Sequence, residues 1–400
     1  MIDFVAESEK IFDSVVAYRR EIHQHPELGK QEFRTSEMVA TFLEKLGIQV
    51  QRNVGAPYPG VVGTLHGGKP GRTVALRADM DALPIQEVRE SSYRSQNDGV
   101  MHACGHDAHT AIAMGTAAIL AAHRDELCGT VKFIFQPNEE VEGGACVMIR
   151  DGALDGVDAI FGLHTDPEYP TGKIVLGYDA VMAASDWLNV DLYGKGTHGA
   201  YPHRGVDAIT MSAEFLSTVQ LLVSRELNPL DSAVITFGAI HGGKARNVVC
   251  DHVRLEGVLR TLKPDVREQV IGRVREVAEK IADTCGGTAK FERKPSHMAT
   301  INNAEMVDFA KETALKVFGP GQSVKLPESR LGVEDFGFYL KEVPGVFYFL
   351  GTGNTEKETT YPWHSPMYEI DEDAMLTGVA FQSALAYCYL KEFSKTESPQ

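Results

Sequence analysis

In the stretch VKFIFQPNEE, at residues 131–140, an apolar run leads directly into a turn and two adjacent carboxylates. Three other apolar runs lead in the same way into polar or glycine-rich residues: TVALRADMD at 73–81, DAIFGLH at 158–164 and GVFYFLGTG at 345–353. Short apolar runs of this kind predict buried strands. In open α/β sheets the loops at the carboxyl ends of the strands line the ligand crevice, so we expect these polar residues to converge there.

Helical patterns alternate with the predicted strands. We predict helices at 7–24, 34–46, 106–122, 144–151, 304–318, 333–341 and 373–393. Such alternation is typical of an α/β domain with a mostly parallel, mixed sheet that is flanked by helices.

The pattern changes between residues 184 and 294. Helical stretches at 206–226 and 266–284 alternate there with the strand-like stretches WLNVDLYG, AVITFGAI, DHVRLEGVLRTL and AKFERK. Two units of two strands and a helix predict a four-stranded antiparallel sheet with two helices on one face. The 400 residues therefore predict two domains, one formed by 1–183 and 295–400 and an inserted α+β domain at 184–294.

The apolar content and net charge of the chain indicate which kinds of partner it can bind. An apolar content of 43% indicates a folded chain. The net charge of −16 would repel nucleic-acid phosphates and an anionic membrane surface, so we expect neither nucleic acid nor membrane as a partner. The N-terminus lacks the basic residues of a signal peptide, and the six cysteines have no repeating spacing, which fits reduced thiols and predicts a cytoplasmic protein.

Metal-ligand residue types lie at the ends of the predicted strands and at the start of a predicted helix. The run MHACGHDAHT at 101–110 holds Cys104 and His106, and the further donors are Glu139, Glu140, His164 and His364. These donors exceed what one tetrahedral zinc uses, which predicts two divalent cations with a bridging group. Two cations about 3.5–4 Å apart lower the pKa of a shared water to near 7 and polarise a carbonyl oxygen, so hydrolysis at neutral pH becomes feasible.

Each donor taken alone is weaker evidence, because a lone buried cysteine or histidine more often serves packing. One alternative is therefore a single structural zinc held by Cys104, His102, His106 and His109. Zinc suits a thiolate among imidazoles and carboxylates, and manganese, cobalt or nickel could occupy the same ligands.

Ordered motifs run nearly the whole length of the chain. Besides the stretches already quoted they are HPELG at 25–29, RADMDALPI at 77–85, GKGTHGAYPHRGVDAI from Gly194, ARNVV at 245–249, GVLRT at 257–261, VEDFGFYL at 333–340 and HSPMYEID from His364. In these motifs the chain resembles the M20 metallopeptidases, specifically the branch of N-acyl-amino-acid amidohydrolases, hippurate hydrolases and plant auxin-conjugate hydrolases.

The resemblance implies a metallo-exopeptidase-like catalytic domain with an inserted lid or dimerisation domain. It implies a metal-ligand set in which Cys104 is the bridge and Glu139 is the general acid and base rather than a ligand. The implied ligands are Cys104, His106, Glu140, His164 and His364. A general base of this kind takes a proton from the attacking water and returns it to the departing amine.

The resemblance also assigns residues outside the ligand set. His198 would stabilise the oxyanion of the tetrahedral intermediate, in many relatives from the neighbouring subunit, which implies a homodimer or higher homo-oligomer. Asn247 and Arg260 would bind the free carboxylate of the substrate, for which a guanidinium fork is suited. For Arg260 the alternative is a strand arginine on a solvated face.

Asp81 is expected to hold the ring or backbone of a metal ligand in place. For Asp79 and Asp81 the alternative is an aspartate pair that caps a turn before Pro84. We expect Glu334 and Asp335 to be structural support.

The sequence thus predicts an enzyme that cleaves the amide of acetyl- or benzoyl-type N-acyl amino acids to a carboxylate and a free amino acid. A dipeptidase or carboxypeptidase on the same site is the close alternative, and a non-catalytic binding protein on the same fold is the distant one. The chain departs from the common family pattern at Thr165, Asp166, Gly199 and Cys250, and we expect these departures to affect substrate preference.

Overall fold

The computed structural model describes residues 2–141 and 143–393, and the chain divides into two compact units. One unit comprises the first 179 residues, Ile301–Pro327 and the chain from Asp335 onward. The other comprises Ala180–Thr300 and Glu328–Glu334. The predicted inserted domain, 184–294, lies inside this second unit and is slightly shorter than it. The catalytic and lid roles of the two domains stay predictions.

The first unit contains eight strands that form one mixed sheet, and elements are numbered along the whole chain. Its strands are β1 (Gln49–Val54), β2 (Gly60–His66), β3 (Lys69–Asp79), β4 (Cys128–Gln136), β5 (Ala159–Pro170), β6 (Ile174–Leu176), β15 (Ser323–Lys325) and β16 (Gly345–Gly353). Its helices are α1 (Phe4–Gln24), α2 (Phe33–Lys45), α3 (His106–Ala122), α4 (Gly144–Arg150), α7 (Ala304–Phe318), α8 (Gly337–Glu342) and α9 (Ala374–Phe393).

The strand order is β1-β2-β4-β3-β5-β16-β6-β15. At the centre of the sheet β3 pairs parallel with β4 and with β5, and β5 pairs parallel with β16. Antiparallel pairs lie nearer the edges, between β1 and β2, β2 and β4, and β16 and β6. The prediction of a mostly parallel, mixed α/β sheet is confirmed.

The central strands are buried on both faces, as is usual where helices cover a parallel sheet. In β3, Val74 and Leu76 belong to the main hydrophobic core, and Ala75, which points to the opposite face, is buried as well. Helices α1, α3 and α9 contact one another and contribute their buried residues to this main core. On the opposite face Phe336 packs so closely on β5 that a Cβ at Gly162 would lie 2.6 Å from its ring.

The second unit contains a four-stranded antiparallel sheet and two helices, as predicted. Its strands and the short strands at its boundaries are β7 (Asp179–Met182), β8 (Ala184–Tyr193), β9 (Thr197–His198), β10 (Ala233–Gly242), β11 (Val248–Val249), β12 (His252–Thr261), β13 (Thr288–His297) and β14 (Thr300–Asn302). Its helices are α5 (Ala208–Leu221) and α6 (Pro264–Thr284).

The main sheet of the second unit has the order β10-β12-β8-β13, with every pair antiparallel. Leu188, Val190 and Leu192 on β8 are buried in a core shared with α5 and α6, whereas Trp187 and Tyr193 are exposed. This alternation is typical of a sheet that is covered by helices on one face only.

Two predicted helices begin or end four or more residues inside their predicted bounds. The stretch predicted as 206–226 forms α5 to Leu221 and then a π-helical turn, Leu222–Glu226. The stretch predicted as 333–341 becomes helical only at Gly337, because the Asp335 carboxylate is held by Arg77 and Gln136 and its backbone does not continue a helix. Among the described residues, none of the helices has the length and apolarity to span a membrane.

A buried ion-pair network ties α1 to the start of α3. Arg19 is completely buried and donates through Nε to Asp107 Oδ2 at 2.7 Å and through Nη2 to Glu369 Oε1 at 2.6 Å. His23 Nδ1 lies 2.7 Å from the same Asp107 oxygen. Because Asp107 follows His106 in the chain, this network fixes the first turn of α3.

We predict that Arg19→Met lowers the free energy of unfolding by about 3–5 kcal/mol, because the buried carboxylates of Asp107 and Glu369 lose the guanidinium with which they pair. The matched control is Arg20→Met, whose side chain is 43% exposed where it pairs with Glu372, and we expect a loss of no more than about 1 kcal/mol. Urea denaturation of both variants measures the difference. Equal losses would contradict a central role for the buried network.

Candidate metal centre

The parallel strands bring the predicted donors to one edge of the sheet. β3 ends at Asp79 and is followed by Asp81, and β4 ends at Gln136 and is followed by Glu139 and Glu140. His164 lies on β5, opposite Phe349 of β16. Since β4, β3 and β5 are adjacent and parallel, their carboxyl ends meet.

Cys104 and His106 reach the same place from the loop before α3. Gly105, between them, has a left-handed φ of 89°. A Cβ at this position would lie 2.1 Å from Thr165 Oγ1 and 2.9 Å from the Tyr368 hydroxyl, so only glycine fits. Glycine is therefore required between Cys104 and His106 for two reasons: its φ is left-handed, and no side chain fits at this position.

His364 comes from the loop before α9 and has a left-handed φ of 62°. Its backbone N–H donates to the Ala103 carbonyl at 2.8 Å, which fixes it beside the Cys104 loop. Its Nε2 lies 3.3 Å from Glu140 Oε1, and its side chain is 52% exposed. Strain of this kind in a non-glycine residue is common at functional sites.

The donors form two groups that share Cys104. One group is Cys104, His106 and His164, and the other is Cys104, Glu140 and His364. Within each group the ligand atoms all lie within 4.8 Å of one another. Cys104 Sγ is 3.3 Å from His164 Nε2, and His106 Nε2 is 3.8 Å from Glu140 Oε1. The structure thus brings together all five residues that the sequence predicted as metal ligands.

Two of these donors have a buried ligand atom that makes no hydrogen bond within the described part of the chain. Among the described residues, His106 Nε2 and Glu140 Oε1 are buried and make no hydrogen bond. Buried polar atoms are nearly always satisfied, so both atoms call for a cation or a water between them. The donor set therefore fits a divalent cation, and the shared thiol fits two.

The other ring nitrogens of the histidines are held from outside the cluster. His106 Nδ1 lies 3.2 Å from Asp81 Oδ1, and His164 Nδ1 donates to the Thr165 carbonyl at 2.7 Å. The Nε2 atom of each ring consequently faces the cluster. Metal-binding histidines are usually oriented in this way.

The electrostatics of the cluster favour a positive charge within it. Burial, with Glu140 and Glu139 beside it, raises the pKa of the Cys104 thiol well above its usual value. Burial works to lower the pKa of His106, but Asp79 and Asp81 outweigh it and raise the pKa to about 10. Burial also works to raise the pKa of Glu140, but its contact with His364 outweighs this and the pKa is lowered. The excess of carboxylates therefore attracts protons or, in their place, cations.

Glu139 lies beside the donors. It is 7% exposed, and one of its carboxylate oxygens lies within 4.8 Å of ligand atoms of His106 and Glu140. Its Oε1 accepts the Asp335 N–H at 3.4 Å. Asp335 is itself held by Arg77 Nη2 at 2.8 Å and Gln136 Nε2 at 2.7 Å. Asp335, which we expected to be structural support, thus also contacts the predicted base.

Asp81 makes the contacts that its predicted role requires. Its Oδ1 faces His106, and its Oδ2 accepts the Glu140 N–H at 2.9 Å. Asp79 pairs with Arg77 and lies 2.6 Å from His109 Nδ1. Both aspartates therefore face histidines around the cluster, which a turn-capping role alone does not explain.

Thr165 is a residue of the site that we did not predict. Its carbonyl accepts both His164 Nδ1–H and the Trp363 indole N–H, the latter at 2.9 Å. Its hydroxyl donates to the Cys104 carbonyl at 3.3 Å and lies 3.0 Å from the Tyr368 hydroxyl. The available signal was its departure from the family pattern directly after His164.

His109 is also a supporting residue rather than a free donor. Its Nε2 accepts the Thr165 N–H at 2.9 Å, so its Nδ1 carries the proton that faces Asp79. His102 belongs to no metal-capable group within the part of the chain that the structure describes, and burial lowers its pKa to about 3. The geometry therefore gives no support to a single zinc held by Cys104, His102, His106 and His109.

The remaining predicted residues lie in the second unit. His198 on β9 is opposite Val248 on β11, and the Gly199 N–H donates to the Asn247 carbonyl at 2.7 Å, so His198 and Asn247 are neighbours. Arg260 on β12 is half-buried, and its Nη1 donates to the Leu331 carbonyl at 3.2 Å. Burial lowers the pKa of Arg260, which means that its guanidinium is partly desolvated.

Comparison with known proteins gives a family match. Residues 75–387 match the family Peptidase family M20/M25/M40. The chain is 38% identical to thermostable carboxypeptidase 2 of Saccharolobus solfataricus, over 94% of this chain and 96% of that protein. It is 39% identical to the N-acetyl-L-cysteine deacetylase of Bacillus subtilis, over 92% and 86% of the two chains.

A solved structure agrees with these matches. The crystal structure of a dinuclear metal-binding peptidase of the M20 family from Bacillus subtilis aligns with a TM-score of 0.85 at 34% identity. The alignment covers 96% of this chain and 99% of that one. The resemblance drawn from the motifs is thereby confirmed.

We predict that Thr165→Val lowers the free energy of unfolding by about 1–3 kcal/mol, because it leaves the buried Tyr368 hydroxyl without this partner. Thr165→Ser keeps the hydroxyl and is the matched control, with an expected loss near the cost of one methyl group, about 1 kcal/mol. Urea denaturation of the metal-free proteins measures both. A valine variant as stable as the serine variant would show that the hydroxyl does not hold the loop.

Proposed function

The chain belongs to peptidase family M20/M25/M40, and on this premise we propose that it is a metal-dependent amidohydrolase. Its reaction is cleavage of the amide of N-acyl amino acids, of acetyl or benzoyl type, to a carboxylate and a free amino acid. The observation that carries this proposal is that Cys104 is shared by two donor groups, with the buried carboxylate of Glu139 beside them. The N-acetyl-L-cysteine deacetylase relative supports the substrate class.

Two divalent cations would be held by Cys104, His106, Glu140, His164 and His364. When bound, they would lower the pKa of a water and polarise the acyl carbonyl. Zinc is the favoured metal because the set joins a thiolate to imidazoles and carboxylates, and manganese, cobalt or nickel are the alternatives.

Glu139 would move the proton. It lies outside both groups that share Cys104, and we assign it the role of base rather than ligand. It would accept a proton from the attacking water and then deliver it to the leaving nitrogen. Its Oε1 accepts the Asp335 N–H at 3.4 Å, a contact that would help to hold the carboxylate beside the cluster.

His198 would stabilise the oxyanion. Its Nδ1 accepts the Ala200 N–H at 3.1 Å, so the neutral ring carries its proton on Nε2. An exposed Nε2–H is a suitable donor to a developing negative charge. The proposal includes a homodimer or higher homo-oligomer, since the resemblance implies that this histidine reaches the site of a neighbouring subunit.

Arg260 and Asn247 would bind the carboxylate of the amino-acid half. A partly desolvated guanidinium gains more from a carboxylate partner than a fully hydrated one does. The carbonyl that Arg260 reaches in the structure occupies one of its five N–H donors, and the rest of the fork is available for a bidentate contact.

A carboxypeptidase is the second candidate function, because thermostable carboxypeptidase 2 is among the similar relatives. A peptide bond to a C-terminal residue is itself an N-acyl amino acid bond, so the same site could act on both. The two functions differ in the acyl side of the substrate.

A substrate panel separates the two functions. We predict that kcat/KM for N-acetyl and N-benzoyl amino acids exceeds that for dipeptides and longer peptides with the same C-terminal residue. The reverse order would identify a carboxypeptidase. Absence of hydrolysis of every amide by zinc-, manganese-, cobalt- and nickel-loaded protein would support a binding protein and overturn the proposal.

We predict that Glu139→Gln lowers kcat by about 10²–10⁴-fold while the metal content is unchanged, because an acid/base group is lost and no ligand is. Glu312→Gln, on the exposed surface of α7, is the control and should retain full activity. Turnover is measured with metal content by mass spectrometry on the same samples. Near-normal turnover, or loss of metal, would contradict the role of Glu139 as a base.

A further inference from the structure

Glu32 is a completely buried carboxylate that the proposed mechanism does not use. It stands directly before α2 and seven positions after His25, in the segment that carries the HPELG motif. Its Oε1 accepts the backbone N–H of Asn138 at 2.7 Å. Glu32 occupies the N-cap position of α2, but its side chain makes no hydrogen bond to that helix. Its carboxylate is therefore directed at Asn138 rather than at α2.

Asn138 is the residue that turns the chain from β4 toward Glu139 and Glu140. It has a left-handed φ of 60°, a conformation that asparagine adopts more readily than most non-glycine residues. Both atoms of its side-chain amide are buried and make no hydrogen bond among the described residues. The Asn138 side chain therefore does not anchor this corner. Its backbone N–H, bonded to Glu32, does.

The HPELG segment packs against the same corner. A Cβ at Gly29 would lie 2.6 Å from Asn138 Oδ1 and 3.4 Å from Asp81 Oδ2, so any larger residue would have to displace the Asn138 side chain. The Glu27 carbonyl accepts the Ala82 N–H at 2.8 Å. The segment is thus fixed to the loop of Asp81 and to the corner of Asn138, the two places from which Glu140 is positioned.

We propose that Glu32 is a positioning residue that holds the corner formed by residues 137–140, so that Glu139 and Glu140 face the Cys104 cluster. This inference rests on the proposed function, because the corner matters to catalysis only if Glu140 binds a cation and Glu139 moves a proton. Burial, and then the charge of Asp81, raises the pKa of Glu32 to about 8. A neutral glutamine should therefore replace it in shape and in hydrogen bonding.

The test compares Glu32→Leu, which cannot accept the Asn138 N–H, with Glu32→Gln, which can. We expect the leucine variant to lose about 10–100-fold in metal affinity, and in kcat with little change in KM, as for other residues that orient metal ligands. The glutamine variant should stay close to the parent protein. Chelator competition measures the metal affinity, and steady-state kinetics separates kcat from KM.

A second readout does not depend on activity. In the metal-free protein, hydrogen exchange in peptides that cover residues 137–141 should be faster in Glu32→Leu and unchanged in Glu32→Gln. Val39→Ala is the control for general destabilisation, since Val39 is fully buried on α2 and does not form part of this corner. It should lower the stability of the protein without changing exchange at 137–141 or metal affinity.

The outcomes are distinguishable. Parent-like exchange and metal affinity in Glu32→Leu would overturn the inference, and so would equal effects of Val39→Ala. If the leucine variant does not fold, Glu32→Asp replaces it, because the shorter acid withdraws the acceptor but stays polar, and parent-like behaviour of that variant would overturn the inference too. If the parent protein hydrolyses no amide, the proposed function fails, while exchange and metal affinity still decide whether Glu32 holds the corner.

Discussion

The parallel pairing of β3 with β4 and with β5 is the constraint on which the metal centre depends. It places the residues after Asp79, the residues after Gln136 and His164 at one edge of the sheet, although they are far apart in sequence. The pairing is stable because these strands are buried on both faces, by α1, α3 and α9 on one side and by residues such as Phe336 on the other. Burial of these strands thus fixes their pairing register, and the register fixes the position of the charged residues that follow the strands.

Bringing so many ionisable groups together has a large desolvation cost, and the structure offsets it with a surrounding layer of partners. Asp79 is held by Arg77 and His109, Asp81 by the Glu140 N–H, and Asp107 by Arg19 and His23. Buried charges are tolerated only when they are paired and hydrogen-bonded in this way. Among the described residues, the buried atoms that make no hydrogen bond include His106 Nε2 and Glu140 Oε1, which lie inside the ring of donors. These two atoms face the place where a cation would bind.

Local signals predicted most of the long helices to within a few residues. Helices 106–122 and 304–318 have the predicted bounds, and the Asn303 side chain caps the second. The three-residue strands β6 and β15 were not predicted, since their pairing is long-range and their sequence is too short to carry a period. The donor residues followed from residue type and motif. The Thr165 and Glu32 contacts did not, because each joins a side chain to the backbone of a distant loop, which composition and spacing do not encode.

Left-handed backbone conformations are found beside the donors of the cluster. Left-handed φ values occur at Gly105, Asn138 and His364. Gly105 lies between two donors, Asn138 lies two residues before the donor Glu140, and His364 is itself a donor. At Asn138 and His364 these conformations are held by other contacts, which are the Glu32 carboxylate and the Ala103 carbonyl. A site whose donors are held in place by the fold would lose little entropy on binding a cation. Its affinity would then depend on residues such as Glu32 and Thr165 as well as on the identity of the donors.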